Sequence, residues 1–342
     1  MGKRVTIQHI ADYLGVSKYV VSRALAGKSG VKDETRDRVI EAAKKLGYNS
    51  SDQHTTFFSF SQQDAVTKNE KRNVLVVLPR SHYQESIYWG KIIDGISSGI
   101  SDYTLGMVIM TETDQFANVI NVDGFVGIIS VGKIASPVLM ELKKLKIPIV
   151  LIDFEDPLLT TDTIFANNYD SSFQLTNYLI GLGHKQIKFI GNIHYSRSFH
   201  DRWLGYRSAM ESHQLLDHSS ELPNQGDTIE AMYETINIWL QTMPPVTALV
   251  CANDSLALFV ISKLNERNVK VPEEISVTGF DNIENSYLSN PTLTTIHVPK
   301  EQIGKRAVKL LVDQVNGNKD YFEKVLLTCE LIIRNSTAKV YQ

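Results

Sequence analysis

Residues 6–30 read TIQHIADYLGVSKYVVSRALAGKSG. Thr6 can cap a helix, and Ile7, Ile10, Ala11 and Leu14 then recur at i, i+3, i+4 and i+7, which is one helical face. Gly15 stands where a helix commonly ends on a left-handed residue. Val16 can fill the corner and Ser17 is the next N-cap. Val20, Val21, Ala24 and Leu25 then give a second helix its apolar side, and AGKSG at 26–30 reads as a loop. A third helix is expected from about Asp33 to Leu46, with Val39, Ala42, Ala43 and Leu46 inward and Gly47 at its end. Two short helices across a tight Gly-Val turn, braced by a third, make a helix-turn-helix unit.

In such a unit the first residues of the second helix point into the DNA major groove. Lys18, Tyr19 and Arg23 lie on the side of that helix away from Val20, Val21 and Leu25. Arginine can bond a guanine bidentately, lysine can donate to guanine O6 and N7, and tyrosine offers a hydroxyl and a ring. Ser17 and Ser22 suit phosphate contacts, and Thr6 at the start of the first helix joins the same DNA-binding set. The competing reading is a solvated face on an ordinary three-helix bundle. Charge favours DNA: residues 1–50 hold ten Lys/Arg against five Asp/Glu, a net of +5, whereas the remainder holds 25 against 33, a net of −8. A basic head on an acidic body points to an anion met by the head alone.

A chain of 342 residues suggests two or three folding units at about 100–200 residues each. A hydrophobic share of 43% is that of a globular protein. No apolar run approaches the roughly 18 residues of a membrane span, and MGKRVTIQHI has no apolar core to act as a signal peptide, so a cytoplasmic location without membrane partners is expected. Cys251 and Cys329 fit buried thiols in a reducing compartment, and two cysteines leave no zinc-type spacing.

Beyond Arg72, apolar runs such as NVLVVLP, GFVGIISV, IPIVLID, IKFIG, TALVC and ISVTGFD alternate with helical patterns, among them Trp89, Ile93, Ile96 and Ile100. Such alternation implies parallel sheets covered on both faces, and about 270 residues are too many for one ordinary sheet, so two α/β lobes are expected. Ligands in these sheets sit beyond the carboxyl ends of the strands. Asp153 ends one strand, Asn253 and Asp254 follow another, and Asp281 follows a third. Each can bond adjacent hydroxyls of the kind a sugar presents. Arg202 adds a cation at a helix start, and Tyr88 and Trp89, at the start of the helix after the first strand, offer rings to cover a sugar's apolar face. Taken singly, each is equally a turn or cap residue; it is their recurrence at strand ends that marks a site. There is no G-x-S-x-G, P-loop or H-E-x-x-H motif and no metal spacing among the histidines, so no catalytic residue, metal or cofactor is assigned.

The stretch VTIQHIADYLGVSKYVVSRALAGKSGVKDETRDRVIEAAKKLGY resembles the headpiece of the lactose/galactose repressor family of bacterial transcription regulators. In the body, LGHKQIKFIG, RWLGYRSAM, PPVTALVCANDSLALFVISKLNERNVKVPEEISVTGFDN and PTLTTIHVPKEQIGKRAVKLL are similar to the family's recurrent motifs. Residues 50–72, polar, rich in Ser, Gln and Thr and without a helical repeat of apolar residues, read as a linker. The resemblance implies a headpiece over 1–49. It also implies a periplasmic-binding-protein-like core over 73–342, with one lobe from about 73–165 and 298–327 and the other from about 166–297 and 328–342. It implies base reading by Lys18, Tyr19 and Arg23, a homodimer on a pseudo-palindromic double-stranded operator, and a small effector between the lobes. Arg202, Asn253 and Asp281 fall on common sugar-contacting positions, with Asp153 and Tyr88 as neighbours.

Several positions depart from the pattern. The usual Ala-Arg-x-Leu hinge is missing, and Phe57 stands about where its minor-groove leucine would be. Phe57 can act as a wedge, or the FFSF stretch can pack on the body or stay unfolded. The usual Asn-Pro-Phe-Phe is Ser86-Ile87-Tyr88-Trp89, and the usual Asp-Asn after the interlobe strand is Asn167-Asn168. The expected protein is a repressor of carbohydrate genes under the control of a sugar. The rival readings are a sugar-binding or sugar-processing protein with an incidental headpiece, and a regulator that senses a non-sugar ligand or a protein.

Overall fold

The computed structural model describes residues 6–25, 33–46, 73–112, 121–216 and 228–340. The chain divides into two compact units, residues 1–60 and 61–342.

The first unit holds α1 (Ile7–Leu14), α2 (Lys18–Leu25) and α3 (Asp33–Leu46). Gly15 ends α1 at φ +65°, a conformation that spares glycine the Cβ clash other residues meet. Ser17 Oγ accepts the Val20 backbone N–H at 3.3 Å, the bond expected of an N-cap. Ile10, Ala11, Val21, Ala24, Val39, Ala42 and Ala43 form the core, with Ile7, Leu14 and Val16 packed against it. The small alanines let three short helices close on so few large side chains.

The second unit is built on two parallel sheets and a two-stranded antiparallel pair. β1 (Asn73–Leu78), β2 (Gly106–Thr111), β3 (Phe125–Val131), β4 (Ile149–Ile152), β5 (Asp162–Ala166) and β10 (Lys324–Leu327) form a parallel sheet in the order β10-β5-β4-β3-β1-β2. Alternation along β1 sends Val74, Val76 and Leu78 to one apolar layer and Leu75 and Val77 to the other. The first layer includes α5 (Lys91–Ser101) and α12 (Lys300–Val315), and the second includes α6 (Ser136–Lys144). α5 and α12 meet backbone to backbone, because a Cβ on Gly95 would lie 2.1 Å from the Glu301 carbonyl oxygen.

β6 (Ile187–Ile190), β7 (Ala248–Cys251) and β8 (Ser276–Thr278) form the second parallel sheet, and β9 (Thr295–His297) pairs antiparallel with β11 (Glu330–Ile332). Bridges from Thr278 to Thr294 and from Asp281 to His297 set that pair beside β8. α7 (Asn168–Gly181), α8 (Arg197–Ser212), α9 (Ile229–Trp239), α10 (Asp254–Glu266) and the short α11 (Glu284–Leu288) belong to this lobe. Among the described residues the chain passes between the lobes three times, after β5, between β9 and α12, and between β10 and β11.

Two expectations need correction. The pattern Trp89, Ile93, Ile96, Ile100 does not run along one helix: α4 (Arg80–Gln84) comes first, then a π turn over Ser86–Gly90, then α5. The wider π turn rotates the face, so Ile92 is fully buried and Ile93 only partly. Cys251 is buried as expected, but Cys329, at the last crossing between lobes, is only partly so.

Candidate functional site

On the headpiece, Thr6, Ser17, Lys18, Tyr19 and Ser22 are exposed, and Arg23 is half-buried. Tyr19 is 67% exposed, yet its hydroxyl accepts a hydrogen bond from Arg23 Nη1 at 2.9 Å. The guanidinium also lies 5.4 Å from the centre of the Tyr19 ring. These residues are four apart on α2, the spacing at which helical side chains meet. Tyr19 and Arg23 therefore present one joined surface rather than two independent groups. Phe57 and the linker at 50–72 lie outside the described residues.

In the core, Ser196 caps α8 by accepting the Phe199 N–H at 3.2 Å, which sets Arg202 one turn into the helix. Gly205 brings α8 onto α7, since a Cβ there would lie 2.2 Å from the Tyr169 carbonyl oxygen. That approach carries Arg202 to Asn168, the first residue of α7, whose Oδ1 accepts from Arg202 Nε at 2.8 Å. Arg202 Nη1 donates to the Ala252 carbonyl at 2.6 Å, and Nη2 lies 3.1 Å from Asp281 Oδ1. The guanidinium stacks 3.8 Å from the Phe280 ring centre. Arg202 and Asp281 are thus a buried pair, with side chains 4% and 10% exposed.

Asp153 follows β4 in the other lobe and accepts a hydrogen bond from Ser198 Oγ, while Asn168 Nδ2 donates to Ser198 Oγ at 3.2 Å. Lys300, at the start of α12, donates to the Asp281 carbonyl. A polar seam therefore runs from Asp153 through Ser198, Asn168, Arg202 and Asp281 to Lys300, and crosses between lobes at each end. Asp153 and Asp281 both hold positive φ, +57° and +111°. For non-glycine residues that is an uncommon conformation, and such strain concentrates at functional sites. Asn282, next to Asp281, is anchored by Arg334 Nη2 at 2.7 Å.

Burial raises Asp153 from 3.8 to about 6, against the Ser198 hydrogen bond and the Arg202 charge. Burial also raises Asp281, with Arg202 and Lys300 opposing. Tyr88, buried on the π turn, is raised by burial and then by the charges of Asp153 and Asp281, with Arg202 opposing. Glu85 accepts from the N–H groups of Ile87, Tyr88 and Trp89 at 2.9, 3.0 and 3.4 Å and so fixes this turn. Trp89 is half-buried, stacks on His82 with ring centres 4.0 Å apart, and meets Tyr88 edge-on at 4.9 Å.

Asn253 faces two ways. It caps α10 by accepting the Leu256 N–H at 2.9 Å, the ordinary work of a turn residue, and it follows Ala252, whose carbonyl binds Arg202. Its neighbour Asp254 is a strut: it accepts from Ile283 N–H at 2.8 Å and from Thr295 Oγ1, and burial and Asp281 raise it to about 8. A separate cavity of about 490 Å³ lies beside Glu155, Leu159, Phe322 and Lys324, and Arg197 of α8 pairs with Glu155 at its wall. None of the effector candidates lines it. Ser198 and Lys300 carried no signal in the sequence as isolated polar residues. Asn168 did, because it follows a buried strand as Asp153 and Asp281 do.

A basic helix-turn-helix unit followed by a two-lobed α/β core with a polar seam between its lobes defines a DNA-binding regulator that senses a ligand. Residues 6–51 match the family described as bacterial regulatory proteins, lacI family, and residues 176–337 match the periplasmic binding protein-like domain. The HTH-type transcriptional repressor CytR of Escherichia coli (strain K12) is 30% identical over 339 residues, covering 97% of this chain and 96% of CytR. The HTH-type transcriptional repressor PurR of Vibrio campbellii is 28% identical over 351 residues, covering 98% and 99%. The chain belongs to the lacI family of bacterial regulatory proteins and is a DNA-binding transcriptional repressor under ligand control. The fold is that of the transcriptional regulator CelR in its cellobiose complex, with a TM-score of 0.70 at 22% identity over 97% of this chain and 100% of that one. It is likewise that of the lac repressor dimer bound to operator and the anti-inducer ONPF, with a TM-score of 0.66 at 21% identity over 98% and 100%. No helix among the described residues is long and apolar enough to cross a membrane.

Proposed function

We propose that two chains pair through their cores and set two headpieces on a pseudo-palindromic operator in the cytoplasm, and that a sugar bound between the lobes controls this repression. Lys18, Tyr19 and Arg23 read bases, and Thr6, Ser17 and Ser22 hold phosphates. The effector meets Arg202, Asp281, Asp153 and Asn253, with Tyr88 and Trp89 as its aromatic wall. The observation that carries this reading is the seam itself: Asp153 of one lobe is tied through Ser198 and Asn168 to Arg202 of the other. A ligand with several hydroxyls competes for those bonds and so changes the angle between lobes, a hinge-type transition. A coupling of roughly 1–3 kcal/mol would shift operator affinity about 5–150-fold.

The test is a fluorescence-anisotropy titration of the full chain on DNA upstream of its own gene, with and without a panel of sugars, followed by calorimetry on the hit. The expected result is a shift of the DNA curve by one sugar in the wild type and none in Asp281→Asn. An unmoved curve with every sugar removes the sugar from the proposal.

A further inference from the structure

The base-reading face of α2 offers hydrogen-bond donors. Lys18–Leu25 reads KYVVSRAL and carries no acidic or amide side chain. Lysine and arginine have donors only, so of Lys18, Tyr19 and Arg23 only Tyr19 also has an acceptor. Ser17 Oγ, just ahead of the helix, is turned to the Val20 N–H. The phenol oxygen of Tyr19 is turned to Arg23, accepting from its Nη1 at 2.9 Å. That bond is charge-assisted: it makes the phenol oxygen a weaker acceptor for anything else and polarises its O–H as a donor. It also holds the guanidinium beside the Tyr19 ring, 5.4 Å from the ring centre. Neither residue belongs to the headpiece core, and Tyr19 is 67% exposed, so packing of the three helices does not account for the contact.

Resting on the base reading above, we propose that Tyr19 is a positioning residue for Arg23, and that the two read neighbouring base pairs as one unit: a guanine under Arg23, beside a base that turns an acceptor to the Tyr19 O–H. In the major groove guanine presents two acceptors, N7 and O6, and thymine presents O4; adenine pairs its N7 acceptor with an N6 donor, and cytosine presents its N4 donor. A pair that brings donors alone favours guanine or thymine next to the guanine and disfavours cytosine. A long side chain loses rotamer freedom when it docks, and a guanidinium already held by its neighbour has less to lose. The four-residue spacing sets both groups on one face of the helix, one turn apart, so the bond survives as that face enters the groove.

The experiment is selection from random duplexes by the full chain as wild type, Arg23→Ala, Tyr19→Phe and the double variant, with anisotropy titrations on the selected site and on a scrambled duplex. Tyr19→Phe keeps the ring and removes only the hydroxyl. Arg23→Ala identifies the position that Arg23 reads. The expected result is a guanine there in the wild type, with guanine or thymine beside it. Tyr19→Phe should relax both positions, weaken the selected site about tenfold and leave the scrambled duplex unchanged. In the Arg23→Ala background the same change should weaken binding less, because the hydroxyl then has no guanidinium to hold. If Tyr19→Phe relaxes one position alone or none, or weakens binding equally in both backgrounds, Tyr19 acts independently of Arg23 and the inference is overturned while base reading stands. A wild type without guanine at any position that Arg23→Ala relaxes overturns it as well. Selection of no preferred sequence by the wild type overturns the base-reading proposal, and the inference with it.

Discussion

Replacing Asp281 by alanine should destabilise the core itself, before any ligand is considered. The carboxylate sits 3.1 Å from Arg202 Nη2, and both side chains are almost wholly buried. Without it the guanidinium keeps two neutral acceptors, Asn168 Oδ1 and the Ala252 carbonyl, and the Phe280 ring, but loses its nearest counter-charge. Breaking a buried pair from one side costs about 3–5 kcal/mol. At about 2–4 °C per kcal/mol for a unit of this size, the core transition should fall by about 6–20 °C. Removing both charges, in Arg202→Met with Asp281→Ala, leaves nothing uncompensated and should restore about 2 kcal/mol or more relative to the sum of the single variants. Differential scanning calorimetry on the full chain reads all three. If Asp281→Ala melts within about 3 °C of the wild type, the guanidinium is solvated and the buried-pair description is wrong. For the same reason Asp281→Asn, which keeps the shape, is the variant for the effector titration.

Arg23→Ala should weaken specific binding by about 1–3 kcal/mol and relax base choice at one position per half-site, read by selection from random duplexes; an equal loss on every sequence would make Arg23 a phosphate contact. Gly205→Ala drives a Cβ into the Tyr169 carbonyl, so it should cost about 1–3 kcal/mol in urea unfolding and move Arg202 off Asn168; an unchanged midpoint refutes the close packing of α7 and α8. Asp153 titrates near 6 in the folded chain against an unperturbed 3.8. The folded state holds this proton more tightly, so the stability it adds is full below about pH 4 and is lost as pH rises through 6. Urea midpoints measured from pH 4 to 8 should therefore decline, and decline less in Asp153→Asn, where Asp254 and Asp281 still titrate upward; parallel curves for the two proteins would contradict it.

The headpiece was legible almost to the residue because its signals are local. A cap at Ser17, a left-handed Gly15 and an apolar stripe on each helix are set by neighbours within one turn. What the sequence hid there was the Tyr19–Arg23 bond, since an exposed pair four residues apart can equally point apart. In the core, strand-end logic singled out Asp153 and Asp281, and a helix start Arg202, which the structure brings into one seam; it also singled out Asn253, which is a helix cap beside the seam. It could not show that Arg202 and Asp281 face each other, because they lie 79 positions apart, one on a helix and one after a strand, and only the tertiary fold brings them together. Ser198 and Lys300 escaped for the same reason, as their partners lie in the opposite lobe. The π turn was invisible because a single extra residue per turn leaves composition and hydrophobicity unchanged.

The three passages between the lobes also decide when the molecule can be finished on the ribosome. The three described helices of the headpiece have all been synthesised at residue 46. The first lobe begins at residue 73 but lacks α12 and its edge strand β10 until residue 327 is made, and the second lobe lacks β11 until residue 332. The headpiece helices are therefore made some 280 residues before the last strands of the core. A chain interrupted near residue 298 would carry the three headpiece helices ahead of two lobes that are each missing a part. Both lobes receive their last elements between residues 300 and 332, so neither is complete much before the other.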